Sequence, residues 1–223
     1  MGIIECQQKE RMGERRWPMS VAVLVAMVLQ YVAPEAGRLT PRWFIPAFEL
    51  VLLVILVASD PGRIDKRSRA LRAITIFLIG IMTVATLAGV TVLMADILWN
   101  IKGASSAAAL FGRGAALWVT NIIVFSLWFW QFDRGGPVER ATRSQTPPSF
   151  VFPEMAYSEH ARRDWMPAYP DYLYLAFTNA TAFSPADTLP VRTWAKMLML
   201  VESFISLVTA VIVIARAIGV IPG

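Results

Sequence analysis

The sequence predicts an all-α, polytopic membrane protein with about five transmembrane helices plus one re-entrant pore helix and loop. Three observations predict it. The 223 residues are 56% hydrophobic, with a mean hydropathy of +0.52. Only 17% are charged, against about a quarter in a soluble domain. The apolar residues also fall in blocks, separated by polar turns, that approach or exceed the length needed to cross about 30 Å of hydrocarbon.

The first block, residues 18–33, follows a polar start carrying Lys9, Arg11, Arg15 and Arg16. It can be read as the core of a signal peptide or as a retained span. Pro34-Glu-Ala-Gly lacks a small-x-small cleavage pattern, which favours the retained span. The second block, residues 43–58, has Pro46 and Glu49 near its start. Both blocks are short for a bilayer, and the turn between them suggests a hairpin. The third block, residues 71–96, is the longest and cleanest. Within it, Ala85-x-x-x-Gly89 is a small-x-x-x-small pattern suited to close helix contact. The fourth block, residues 115–132, ends in Trp128-Phe-Trp130-Gln-Phe132, an expected interfacial aromatic belt.

Residues 133–169 form a polar loop rich in Arg, Glu and Pro. It holds Phe150, Phe152, Tyr157, Trp165 and Tyr169, too many aromatics for a disordered linker. It is expected to fold back onto the membrane surface or a neighbouring subunit. Pro170 and Asp171 suit a first helical turn, where a missing donor is harmless and the dipole favours an anion. A short helix over 170–181, a filter-like loop over 182–190 and a last span over 194–218 complete the chain. The organisation is thus a three-span region, 1–111, and a pore module, 112–223.

Several function classes are excluded. A single Cys6 rules out an internal disulfide and a Cys-based metal site, and a lone His160 rules out a His cluster. No nucleophile–base pair or phosphate loop is present, so no enzyme and no bound cofactor are expected. The net charge of +5 suits loops facing anionic lipid, not nucleic acid, because no soluble domain gathers the basic residues.

The candidate site is Tyr172–Pro190, too polar and too broken by Pro to cross alone. Irregular backbone at membrane depth survives only where protein covers it or where it lines a water-filled cavity. A half-membrane helix would aim its negative end at that cavity and favour a cation there. Thr178 and Thr181 lie on one face, Ser184 adds a hydroxyl and Asp187 a charge, the parts from which cation filters are built. A re-entrant hairpin that merely packs fits the same spacing. In the last span, Glu202, Ser206 and Thr209 share one polar stripe. Glu202 is readable as a cavity acid or as a contact to the pore helix or to Arg192 or Lys196. Glu49, Asp96 and Asn100 are expected to pair internally or to sit at an interface. Arg63, Lys66, Arg67, Arg69 and Arg72 look like a positive-inside anchor; no span carries the third-position periodicity of a voltage sensor.

Thr178-x-x-Thr181, then Asp187-Thr-Leu-Pro190, resembles the potassium-channel pore signature, Thr-x-x-Thr-Val-Gly-Tyr-Gly-Asp-x-x-Pro. Arg192-Thr-Trp-Ala-Lys196 and Glu202-Ser-x-x-Ser-Leu resemble the start of an inner helix in two-span channel modules. The fit covers about 118–219 and is strongest over 172–206. The chain also resembles a bacterial membrane-protein group with a Phe-Ser-Pro loop on such a module. The resemblance implies a homo-oligomer, with four copies around one axis, in a bacterial inner membrane. Where the family has Val-Gly-Tyr-Gly, this chain has Ala182-Phe183-Ser184-Pro185-Ala186. Phe183 adopts positive φ only at a cost, and Pro185 fixes φ near −65°, so the glycine-dependent carbonyl ladder is not expected. The expected function is a channel, not potassium-selective, passing monovalent or divalent cations. The alternative is a non-conducting structural or regulatory membrane protein that retains the fold. One conflict follows: the positive-inside rule and five spans put the pore loop's entry on the cytoplasmic side, opposite to potassium channels.

Overall fold

The computed structural model describes residues 13–32, 41–64, 68–99, 107–141, 146–157, 165–182 and 187–220, with backbone alone for 107, 182 and 216–220. Its helices are α1 (Trp17–Val32), α2 (Phe44–Ser59), α3 (Arg69–Trp99), α4 (Ala107–Phe132), α5 (Pro137–Ala141), α6 (Pro153–Ala156), α7 (Tyr169–Ala182) and α8 (Thr193–Val220). A 3-10 turn spans Asp133–Gly135, and β1 (Phe150–Val151) pairs antiparallel with β2 (Leu189–Pro190). Among the described residues the architecture is all-α apart from this two-residue ladder and an isolated bridge between Arg15 and Arg63.

Three helices, α3, α4 and α8, are long and apolar enough to cross a membrane. The sequence suggested about five spans. α1 and α2 have only 16 residues each, about 24 Å of helix, so they are short apolar helices. α2 buries only the stripe Glu49, Leu52, Leu53 and Leu56, the i, i+3, i+4, i+7 pattern of one face. The rest of it is largely exposed and apolar, as a lipid-facing edge requires.

α4 is the hub. It packs against α8, α7, α3 and α1, and Thr120–Leu127 are all buried. A helix apolar on every side belongs at the centre of a bundle. Two glycines allow close approach there. A Cβ on Gly89 of α3 would meet Leu117 at 2.6 Å, and one on Gly114 of α4 would meet Val213 at 2.5 Å. Gly89 of the Ala85-x-x-x-Gly89 pattern is therefore a point of close helix contact.

The helices α1 to α4 alternate in direction, α7 and α8 both start where α4 ends, and the helix ends sort into two layers. At one end, Arg16 before the first turn of α1 pairs with Asp60 after α2 (3.1 Å). There, too, Trp194 near the start of α8 packs on Phe132 at the end of α4. At the other end, Asp96 of α3 pairs with Arg113 of α4 (2.7 Å). The first layer is the basic end: of the 11 Lys and Arg residues with described side chains, it holds Arg15, Arg16, Arg63, Arg69, Arg72, Arg134, Arg140, Arg192 and Lys196.

Of the aromatic residues in Trp128–Phe132, two turn inward. Phe129 and Trp130 are buried because the loop after α4 folds back over them. Phe150 packs on Phe129 at 5.2 Å between centroids, on Trp194 at 5.9 Å and on Tyr172 at 6.4 Å. The described parts of 133–169 thus cover this chain's own helix ends. The reversal itself needs Gly136 at φ +102, where a Cβ would lie 3.0 Å from the Gln131 carbonyl.

Candidate functional site

α7 begins at the basic end and stops part-way down the bundle. Its 14 residues give about 21 Å. The chain then returns to the same end, because β2 pairs with β1 and α8 starts beside Phe132. The sequence predicted this helix over 170–181, and it runs over Tyr169–Ala182.

The first turn is held by a polar knot. Asp171 Oδ2 accepts the Ala168 N–H at 2.7 Å, reaching back to the residue before the helix as in a capping box. Burial raises the Asp171 carboxyl above its ordinary pKa, partly offset by that N–H. The Glu14 carboxylate accepts the Tyr169 N–H, the Trp130 Nε1–H (2.9 Å) and Arg140 Nη2 (3.2 Å). Tyr172 donates its hydroxyl to Asp133 Oδ2 at 2.6 Å, and the Ser149 N–H donates to Asp133 Oδ1 at 2.7 Å. Arg140 donates to the Trp130 and Asp133 carbonyls and lies 5.1 Å from the Tyr172 ring centre.

The far turn of α7 meets α4 and α8 in a second polar layer. Asn179 Nδ2 donates to Glu202 Oε2 at 2.7 Å and to the Met199 carbonyl at 2.9 Å. Ser203 Oγ donates to the Asn179 carbonyl at 3.2 Å. From α4, Asn121 Nδ2 reaches Ser206 Oγ at 3.0 Å and the Glu202 carbonyl at 3.3 Å. Glu202 is 0% exposed and Asn179 2%. Glu202 Oε1 has no partner among the described residues. Glu202 lies about 14 Å along α8 from Thr193.

Glu202, Ser206 and Thr209 do form one stripe, but it faces inward. All three are buried, and Thr209 spends its hydroxyl on the Ile205 carbonyl at 2.7 Å. Glu202 and Ser206 meet α7 and α4 at the α4–α7–α8 seam, and none of the three is open to solvent among the described residues. Glu202 touches α7 through Asn179, one of the contacts the sequence allowed. Thr178 and Thr181 back-bond to their own helix, at 3.0 Å to Tyr174 and 2.8 Å to Phe177. Asp187 is exposed, and Tyr174 donates its hydroxyl to Asp187 Oδ2 at 3.3 Å. Phe183, Ser184 and Pro185 lie outside the described residues, as do Asn100 and His160; the Ala182 side chain does too. Glu49 takes the Gln30 amide at 3.3 Å, and Asp96 takes Arg113, so both acids pair inside the chain.

Asn121, Asn179, Glu14 and Asp133 were not singled out from the sequence. Asn121 and Asn179 carry the signal that selects Glu202, a polar group amid apolar neighbours. Glu14 and Asp133 carry no such signal. Among the described residues no group of three or more His, Cys, Asp or Glu gathers to hold a metal.

The fold and site define a class: a helical protein whose three long apolar helices can cross a membrane, with a shorter helix inserted between two of them. No protein-family model, curated protein or solved structure matches the chain.

Proposed function

We propose that this chain is one subunit of a homo-oligomeric ion channel with a span–half-helix–span module and a filter that is not potassium-selective. The observation that carries the reading is α7 itself. It starts at one end, runs 14 residues between two long apolar helices, and the chain after it is back at the same end. Its C-terminus directs a negative dipole end towards residues 183–186. One module walls only part of a pore, so closed symmetry is required, and four copies fit the resemblance. The outward face is suited to copies: Tyr174 and Phe177 of α7 and Leu200, Phe204 and Val211 of α8 are exposed and apolar or aromatic. The setting is a bacterial inner membrane, and the permeant species are monovalent or divalent cations.

A specific observation favours a second reading, a non-conducting structural or regulatory protein. The Glu202 stripe is consumed by contacts to Asn179 and Asn121, and both threonine hydroxyls are spent on their own helix. Oligomeric state in detergent, with cation flux through reconstituted liposomes, separates the two. The channel reading expects a closed oligomer and flux that does not prefer potassium over sodium. A monomer that leaks nothing would leave the second reading standing, and potassium selectivity would overturn the altered-filter argument.

A further inference from the structure

A cavity of about 520 Å³ lies at the basic end, away from α7. It sits between the start of α1, the end of α2, the start of α3 and the chain after α4. The volume is within the roughly 300–1,000 Å³ of ligand sites. Arg16, Arg69 and Arg72 contribute its cations, and Asp60 and Glu139 its acids. Asp60 offsets only Arg16 among the cations. Asp60 is held by Arg16 Nη2 at 3.1 Å, and Glu139 has interactions of its own. Arg16 is 4% exposed, yet its Nε has no acceptor among the described residues. A buried charged donor left open costs free energy, so an acceptor is wanted there. Arg69 and Arg72 are exposed and have no ion-pair partner among the described residues. The first turn of the 31-residue α3 also borders the cavity and adds its positive end. The remaining wall includes Met19, Leu71, Trp130 and Val138.

We propose that this cavity is a phosphate site, filled by the headgroup of an anionic lipid. Arginine suits a phosphate through paired N–H donors. Basic pockets between helices at the cytoplasmic surface are a recurrent headgroup site. The apolar wall favours a lipid over a free ion, because a glycerol and acyl stem has somewhere to lie. The site does not depend on whether the chain conducts.

The test uses the purified full chain in detergent. Native mass spectrometry would compare retention of phosphatidylglycerol and phosphatidylcholine in wild type, Arg69→Ala/Arg72→Ala and Arg192→Ala. Arg192 is an exposed cation at the same end, outside the cavity. Wild type should retain phosphatidylglycerol preferentially. The double variant should lose about tenfold in affinity, and Arg192→Ala should lose nothing. A parallel arm measures thermal shift with inorganic phosphate alone. Phosphate stabilisation with the same arginine dependence, without lipid preference, would keep the anion site and overturn the lipid as its source. Equal loss in Arg192→Ala, or no response in either arm, overturns the proposal.

Discussion

In hydrocarbon a side-chain amide has no water to fall back on, so the hydrogen bonds of Asn179 decide whether the tip of α7 stays docked. Its Nδ2 serves both the Glu202 carboxyl and the Met199 carbonyl. Asn179→Leu removes the donor and leaves Glu202 buried with neither carboxyl oxygen bonded to a side chain. Losing one partner of a buried pair costs about 1–3 kcal/mol, whereas replacing both by apolar groups is nearly neutral. Asn179→Leu should therefore destabilise the protein by that amount in a denaturation titration in micelles. Asn179→Leu/Glu202→Leu should recover most of the loss. A double variant as unstable as the single would show that the pair does not act as a unit. The double variant also carries a functional reading. Cation flux that survives it would place Glu202 off the conduction path, as its burial in the α4–α7–α8 seam suggests.

At the scale of elements, α4 holds the bundle because its neighbours approach where it has no side chain. Gly114 faces Val213 of α8 so closely that even a methyl group would intrude. Gly114→Leu should push α8 from α4 at the end away from the basic layer, costing about 1–3 kcal/mol as overpacking does. Because the two residues touch, the effects should not add: Val213→Ala opens space and should return part of the lost melting temperature. Independent effects in the double variant would deny the contact. The helices were largely legible beforehand. The last span, expected over 194–218, is Thr193–Val220, because a long apolar run bounded by charges has few other solutions. The fold of 133–169 was not legible. Its anchors work through partners remote in sequence: Phe150 through Phe129 and Trp194, and Glu14 through Tyr169, 155 residues away. The inward turn of the Glu202 stripe was hidden for the same reason. Spacing places three polar residues on one face, and only the position of Asn121 and Asn179 says what that face meets.

For the molecule as a whole, the arrangement of helix ends answers a question that span counting leaves open. α1 starts and α2 ends in the basic layer, tied by Arg16 and Asp60. The pair is a hairpin, and it changes nothing in parity whether it crosses the membrane or lies within one face of it. α3 starts, α4 ends, α7 enters and α8 starts in that same layer. The described end of α8 therefore lies in the opposite layer in either case. Most of the described cations are in the basic layer, and cations near span ends favour the cytoplasm. The expected topology thus has α7 entering from the cytoplasm and the C-terminus outside, opposite to the potassium-channel arrangement that the pore signature resembles. A reporter fused after Gly223 that works only outside the cytoplasm should be active. The same reporter inserted after Gly62, in the turn between α2 and α3, should be silent. The reverse pattern would mean that the basic layer faces outward. It would remove the cytoplasmic leaflet as the source of any headgroup in the Arg16–Arg69–Arg72 cavity and restore the potassium-channel direction of entry.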